Sequence, residues 1–188
     1  YPLKNTPLNN FFDIYFATLI NAERFGYNTQ LTYHYKDILK LVQLPFSRIV
    51  FGVDNCVEIK KHIVDNNWVF INKDKLDWIN DKLEIPFILN IEITSLLKQC
   101  VSFIKLGKKH YIATKQEQQK INIELEYLFQ FAKLFNQIST LTEKYPFIES
   151  IKGFYSLYTQ ILSSHTIELY GEPLQGLQVL GMLETRNI

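Results

Sequence analysis

The stretch richest in groups that could do chemistry is Lys98 to Lys120, which holds Lys98, Lys105, Lys108, Lys109, Lys115 and Lys120 against a single Glu117. The chain as a whole carries a net charge of +1, so basic charge is concentrated here and the remainder is acidic. Clustered lysines neutralise phosphates, and a nearby aromatic ring offers a face on which a base can stack. Lys105, Lys108, Lys109, His110, Tyr111 and Lys115 are therefore the candidate nucleic-acid contacts, with His110 and Tyr111 expected at a turn between two helices. The plain alternative is a solvated helix-loop-helix surface.

Catalytic constellations are not apparent. His34, His62, His110 and His165 are widely separated, and none pairs with Cys, Asp or Glu at metal-ligand spacing. Asp74, Asp77 and Asp81 share one side of an expected helix, but Lys73, Lys75 and Lys82 interleave with them. No loop adds the glycine and glutamate of a calcium hand, so a solvated face is the reading. There is no Gly-x-x-x-x-Gly-Lys-Ser/Thr loop to cradle nucleotide phosphates and no Gly-x-Ser-x-Gly elbow. No cofactor is expected, no metal is expected, and these residues are expected to form no enzyme on their own.

The elements that must position the lysines are helical. At 188 residues with 47% hydrophobic content the chain can bury one sizeable core. No apolar run reaches the roughly 18 residues of a membrane helix, and Tyr1 to Asn5 lacks the basic start of a signal peptide. Cys56 and Cys100 give no disulfide framework and no Cys-x-x-Cys pair, as in an ordinary cytoplasmic protein. Periodicity and capping signals predict helices from Asn9 or Asn10 to about Phe25, from Tyr33 to Leu44 after a Thr32 cap, and from Asp54 to Asp65. Pro45 to Val53 reads as an irregular connection and Trp68 to Ile71 as a brief extended piece. Further helices are expected from Asn72 to Leu83, from Glu92 to Leu106 with Gly107 as its stop, from Lys115 to Tyr145, and from Phe147 to Ser164. Thr166 to Tyr170 and Gln178 to Leu183 read as short strands. The expected fold is mainly α, about seven helices in one bundle-like domain with two short strands near the C-terminus.

The most motif-like run is Gly171-Glu-Pro-Leu-Gln-Gly-Leu-Gln-Val-Leu-Gly-Met-Leu-Glu-Thr-Arg186. It resembles the motif V region of the AddB-type subunit of bacterial ATP-dependent helicase-nucleases, especially inactivated superfamily I helicases with a C-terminal PD-(D/E)XK nuclease. Active relatives carry strand, Thr, His, two residues, then Lys-Gly-Leu-Glu-Phe; Gly181 to Ile188 occupies that place, with Arg186 at the lysine position and Thr185 beside it. Tyr1 to Leu8 resembles the segment just after motif IV in the same family. It contains no arginine, whereas active members use one there on the terminal phosphate of the nucleotide.

The resemblance implies an internal fragment of a larger chain. Residues 1–8 would be the edge of the helicase core after motif IV, 9–165 a helical insert like the mobile 2B subdomain, and 166–188 a return to the core. It implies a DNA double-strand-break repair role, with single-stranded or forked DNA, an AddA-type partner subunit and the rest of the parent chain as partners, and no membrane. Arg186 and Thr185 would face DNA or the nucleotide cleft. The parent would be an ATP-dependent exonuclease or helicase subunit whose helicase-like half is in doubt as an ATPase. The alternative is a protein-interaction module that docks the partner subunit through aromatic surface such as Phe11, Tyr15 or Phe154, without touching DNA.

Overall fold

A computed structural model of the chain describes residues 2–114, 122–145 and 148–165. Among them are eight helices and one small sheet. A 3-10 turn, Leu3–Asn5, leads into α1 (Pro7–Phe25), then β1 (Tyr33–His34), α2 (Tyr35–Val42), α3 (Pro45–Val50), α4 (Val53–Asp65), β2 (Phe70–Ile71) and α5 (Lys73–Asn80). The second half is α6 (Ile93–Thr114), α7 (Asn122–Lys144) and α8 (Ile151–Ser163). Among the described residues, no helix is long and apolar enough to cross a membrane.

The body is built around α1. Its apolar residues fall on two adjacent stripes, so it is buried toward two groups of neighbours at once. Phe11 and Tyr15 face α3 and α6: the Phe11 ring lies edge-on to Phe46 at 4.9 Å and to Phe103 at 5.3 Å. Phe12 and Phe16 face α7 and α8: Phe12 stacks on Phe131 at 5.3 Å and meets Phe135 edge-on at 4.9 Å, and Phe16 lies 5.0 Å from Tyr158. The helix starts earlier than Asn9, because Thr6 Oγ1 accepts the Asn9 N–H at 3.1 Å and Pro7 takes the first helical position, where its missing N–H costs nothing. Asn9 is buried instead. Its amide donates to Lys4 O and Asp13 Oδ2, both at 2.8 Å, and its Oδ1 accepts the Tyr158 hydroxyl at 2.6 Å.

Other boundaries differ from the sequence reading too, among them that of the last helix, which Ser150 caps and which starts at Ile151 rather than Phe147. His34 rather than Thr32 caps α2, its Nδ1 accepting the Lys36 N–H at 3.4 Å, because Tyr33 and His34 pair antiparallel with Ile71 and Phe70. Pro45 to Val50 is helical: Pro45 stops α2 but is also pre-organised as the first residue of α3. Gly107 does not stop α6. A Cβ there would lie 2.8 Å from the Phe46 ring and 3.1 Å from Leu128 Cδ2, so glycine marks a close helix crossing rather than an end. The sheet of the described residues is this β1–β2 pair, while the strands expected at Thr166 to Tyr170 and Gln178 to Leu183 lie outside the described residues.

The ends of the described body meet. The Leu3 N–H donates to His165 O at 3.2 Å, and α1 runs antiparallel to α8 through the pairs Asn9–Tyr158 and Asp13–Tyr155. Leu3 and Leu8 belong to the common core.

Both thiols are buried. Burial pushes the Cys56 thiol up to about 11, against the opposing attraction of Arg48, and pushes Cys100 well above its ordinary value. The native state thus holds the Cys56 proton more tightly than the unfolded chain does. That contribution to stability is fully present below about pH 9 and is lost as pH rises through about 11. Iodoacetamide at pH 8 should leave both cysteines unmodified in the native protein and alkylate both in denaturant, as read by intact mass.

Candidate nucleic-acid interface

Because α6 continues through Gly107, the expected turn at His110 and Tyr111 does not exist, and the five candidates from Lys105 to Tyr111 are distributed around a helix instead. With about 100° per residue, Lys98, Lys105 and Lys109 fall within about 40° of one another. All three are exposed, and about 6 Å of axial rise separates Lys105 from Lys109. Lys108 is exposed on the adjacent face, and His110 lies beyond the stripe with its ring 5.5 Å from that of Tyr111. Tyr111 is half-buried and lines a separate cavity against α1, α3 and α7, so it offers no stacking face beside the lysines. Lys115, Thr185 and Arg186 lie outside the described residues.

The lysine stripe borders a shallow cleft. Its opposite wall is the connection from α5 to α6, residues 81–92, an irregular segment held in place by hydrogen bonds from four directions. Asn80 clasps Phe87 through both backbone groups at 3.0 and 2.7 Å. The Gln99 amide donates to Pro86 O while its Oε1 accepts the hydroxyl of buried Tyr15. The Leu31 N–H donates to Leu89 O at 2.7 Å, and Asn55 Nδ2 to Lys82 O at 2.9 Å. One half of the cleft, about 310 Å³, is lined by Lys98 and Ser102 against Ile85 and Pro86. The other, about 340 Å³, is lined by Ser102, Lys105 and Lys109 against Glu84 and Ile85.

Electrostatically the stripe is cationic with one acidic neighbour on each side. Glu84 lines both halves of the cleft but makes no ion pair with the lysines. Glu92 is held below the ordinary carboxylate range by hydrogen bonds from Ser95 and Thr94 and by the Lys98 charge. Lys105, Lys108 and Lys109 have no carboxylate partner among the described residues. By contrast, Lys73 pairs with Asp77 at 2.5 Å, and Lys82 pairs with Glu58 at 2.7 Å while lying 4.4 Å over the Trp78 ring. Sequence reading misses Ser102, Gln99 and the 81–92 wall; the spacing 98, 102, 105, 109 carries the signal, once the helix is continued through Gly107.

Elsewhere the described residues hold no group of three metal-ligating side chains. Asp77 is engaged by Lys73, and Asp74 and Asp81 are exposed. His62 is stacked on Trp78 with ring centroids 3.7 Å apart and meets Trp68 edge-on at 4.8 Å. The aromatic residues named for protein docking are not surface: Phe11, Tyr15 and Phe154 are at most 1% exposed and lie in the core. Exposed aromatic area occurs instead at the C-terminal end of α1 and on β2, where Tyr27 is 81% exposed and Phe25 and Phe70 meet edge-on at 5.3 Å.

Comparison with known proteins gives no match: no family model, no curated protein and no solved structure corresponds to this chain.

Proposed function

We propose that this helical body is a non-catalytic, nucleic-acid-contacting domain that guides DNA, of the kind resembling the 2B insert of an AddB-type helicase-nuclease subunit. The observation that carries the reading is the alignment of Lys98, Lys105 and Lys109 along one cleft, with Lys105 and Lys109 without a carboxylate partner among the described residues. Lysines kept free of ion pairs stand ready to neutralise phosphates, releasing condensed counterions as they do so. The meeting of Leu3 with His165 supports carriage of the body as an insert, since a host chain enters and leaves an insert at adjacent points. On this reading the partners are single-stranded or forked DNA, an AddA-type subunit and the remainder of a parent exonuclease or helicase chain acting in the cytoplasm.

The test is fluorescence anisotropy of labelled single-stranded and forked DNA across a salt series. The combined change Lys98→Ala, Lys105→Ala and Lys109→Ala should weaken binding about tenfold and lower the salt slope by about 2, while Lys108→Ala alone changes it by well under 1. Absence of binding at low salt, or equal loss from Lys108→Ala alone, removes the reading. A second reading, docking of a partner subunit without DNA contact, is favoured by one observation: the exposed Phe25, Tyr27, Val69 and Phe70 at one end of the body.

A further inference from the structure

The cavity that takes Tyr111 away from the lysines has a chemistry of its own. It holds about 400 Å³, within the size range of small-ligand sites, and lies where the start of α1, the start of α3, the end of α6 and the first turn of α7 converge. Leu8, Phe11, Phe46 and Leu128 are buried and form its floor, and Pro7, Asn10 and Pro45 are exposed at its mouth. The rings of Tyr111 and Tyr127 complete the walls. Into this largely apolar space comes one carboxylate, Glu124, whose Oε2 atom is shut off from solvent and has no hydrogen-bond partner among the described residues.

Such an oxygen is costly. An unsatisfied buried acceptor loses about 1–3 kcal/mol, and more when charged, so a donor that enters the cavity and reaches this carboxylate is favoured. The starts of α1 and α3 do not supply one. Both helices begin with proline, which has no N–H, and the Asn9 N–H is already taken by Thr6 Oγ1. The same features make the cavity poor for an anion. Aromatic faces beside a carboxylate suit the opposite charge, because the ring quadrupole attracts a cation. The Tyr111 hydroxyl is pushed up by burial and further by the Glu124 charge, which places the two groups within electrostatic reach.

We propose that this cavity binds a small organic cation, an ammonium or guanidinium group on a short apolar body, with the charge paired to Glu124 and the body against Phe46, Tyr111 and Leu128. The site lies on a different face of α6 from the lysine cleft and does not depend on DNA binding there.

The probe is benzylammonium, compared with benzyl alcohol, its neutral counterpart of nearly the same shape, each titrated into the 188-residue chain and followed by NMR chemical shifts. Benzylammonium should bind about tenfold more tightly than benzyl alcohol, and Glu124→Gln should abolish that difference. Tyr111→Phe keeps the ring and should change affinity less than about twofold, whereas Tyr111→Leu should weaken benzylammonium about fivefold and benzyl alcohol less. The Tyr111 pair gives the answer independently should Glu124→Gln fail to fold. Equal affinity for the two probes, a preference that survives Glu124→Gln, or no binding of either probe overturns the proposal.

Discussion

Phe12→Ala lowers the unfolding free energy by about 3–5 kcal/mol in urea denaturation, the expected cost of removing a large buried aromatic that leaves a cavity behind. Phe12 is fully buried and joins two helices to α1: its ring stacks on Phe131 and meets Phe135 edge-on, both on α7, and lies 6.4 Å from Tyr158 on α8. Flanking aromatics are rigid and cannot collapse into the vacated volume, so the loss belongs at the upper end for a truncation. Phe129→Ala on α7 is the control. That ring is 53% exposed with Lys133 Nζ 4.4 Å above it, and its loss should stay near about 0.5 kcal/mol. Comparable losses for the two variants would mean that α7 does not pack on α1 as described.

Gln99→Met costs about 2–4 kcal/mol although it preserves side-chain length and most of the volume. The wild-type amide joins a buried hydroxyl to the backbone of exposed Pro86, accepting from Tyr15 and donating to Pro86 O. Methionine leaves that hydroxyl, 84 positions away in sequence, unpaired and releases the carbonyl of the 81–92 wall. Removing the Tyr15 hydroxyl as well should recover some of the loss: the double change Tyr15→Phe, Gln99→Met is expected to be less destabilised than the sum of the single changes. Because Pro86 lines the cleft beside Lys98, the proposed DNA-contacting role implies that Gln99→Met also weakens DNA binding without altering any charge. Full additivity in the double mutant would show that the two groups are not coupled.

Much of the architecture is legible because strong 3.6-residue periodicity needs no partner to be read. The stripe Phe12, Phe16 and Leu19, the inward Leu76 and Ile79, and the Gly26 cap of α1 all stand where spacing puts them. The misreadings share a physical cause, which is that one residue type can serve two purposes. Proline ends a helix and also begins one, and Pro45 does both. Glycine ends a helix and also lets helices cross closely, and Gly107 does only the second. Taking Gly107 as a stop moves the expected turn into the middle of α6 and so groups Tyr111 with lysines from which the helix separates it. Phe11, Tyr15 and Phe154 read as surface because a sequence shows how apolar a helix is but not how many neighbours surround it. The lysine stripe follows from spacings of seven and four along one helix, whereas the opposing 81–92 wall depends on contacts from Tyr15, Leu31 and Asn55 that local pattern does not encode.

The contact between Leu3 and His165 determines how the body responds to tension. Force transmitted along a chain that continues past both residues enters and leaves at one point, so the folded body adds almost no length to the line of pull. Because α1 and α8 are antiparallel and loaded from the same end, the layers Asn9–Tyr158, Asp13–Tyr155 and Phe16–Phe154 separate in succession, as a zipper opens, rather than resisting together in shear. Opened fully, the same stretch extends by roughly 500 Å. Mechanically it is a folded reserve of slack, weak against pulling apart at Leu3 and His165.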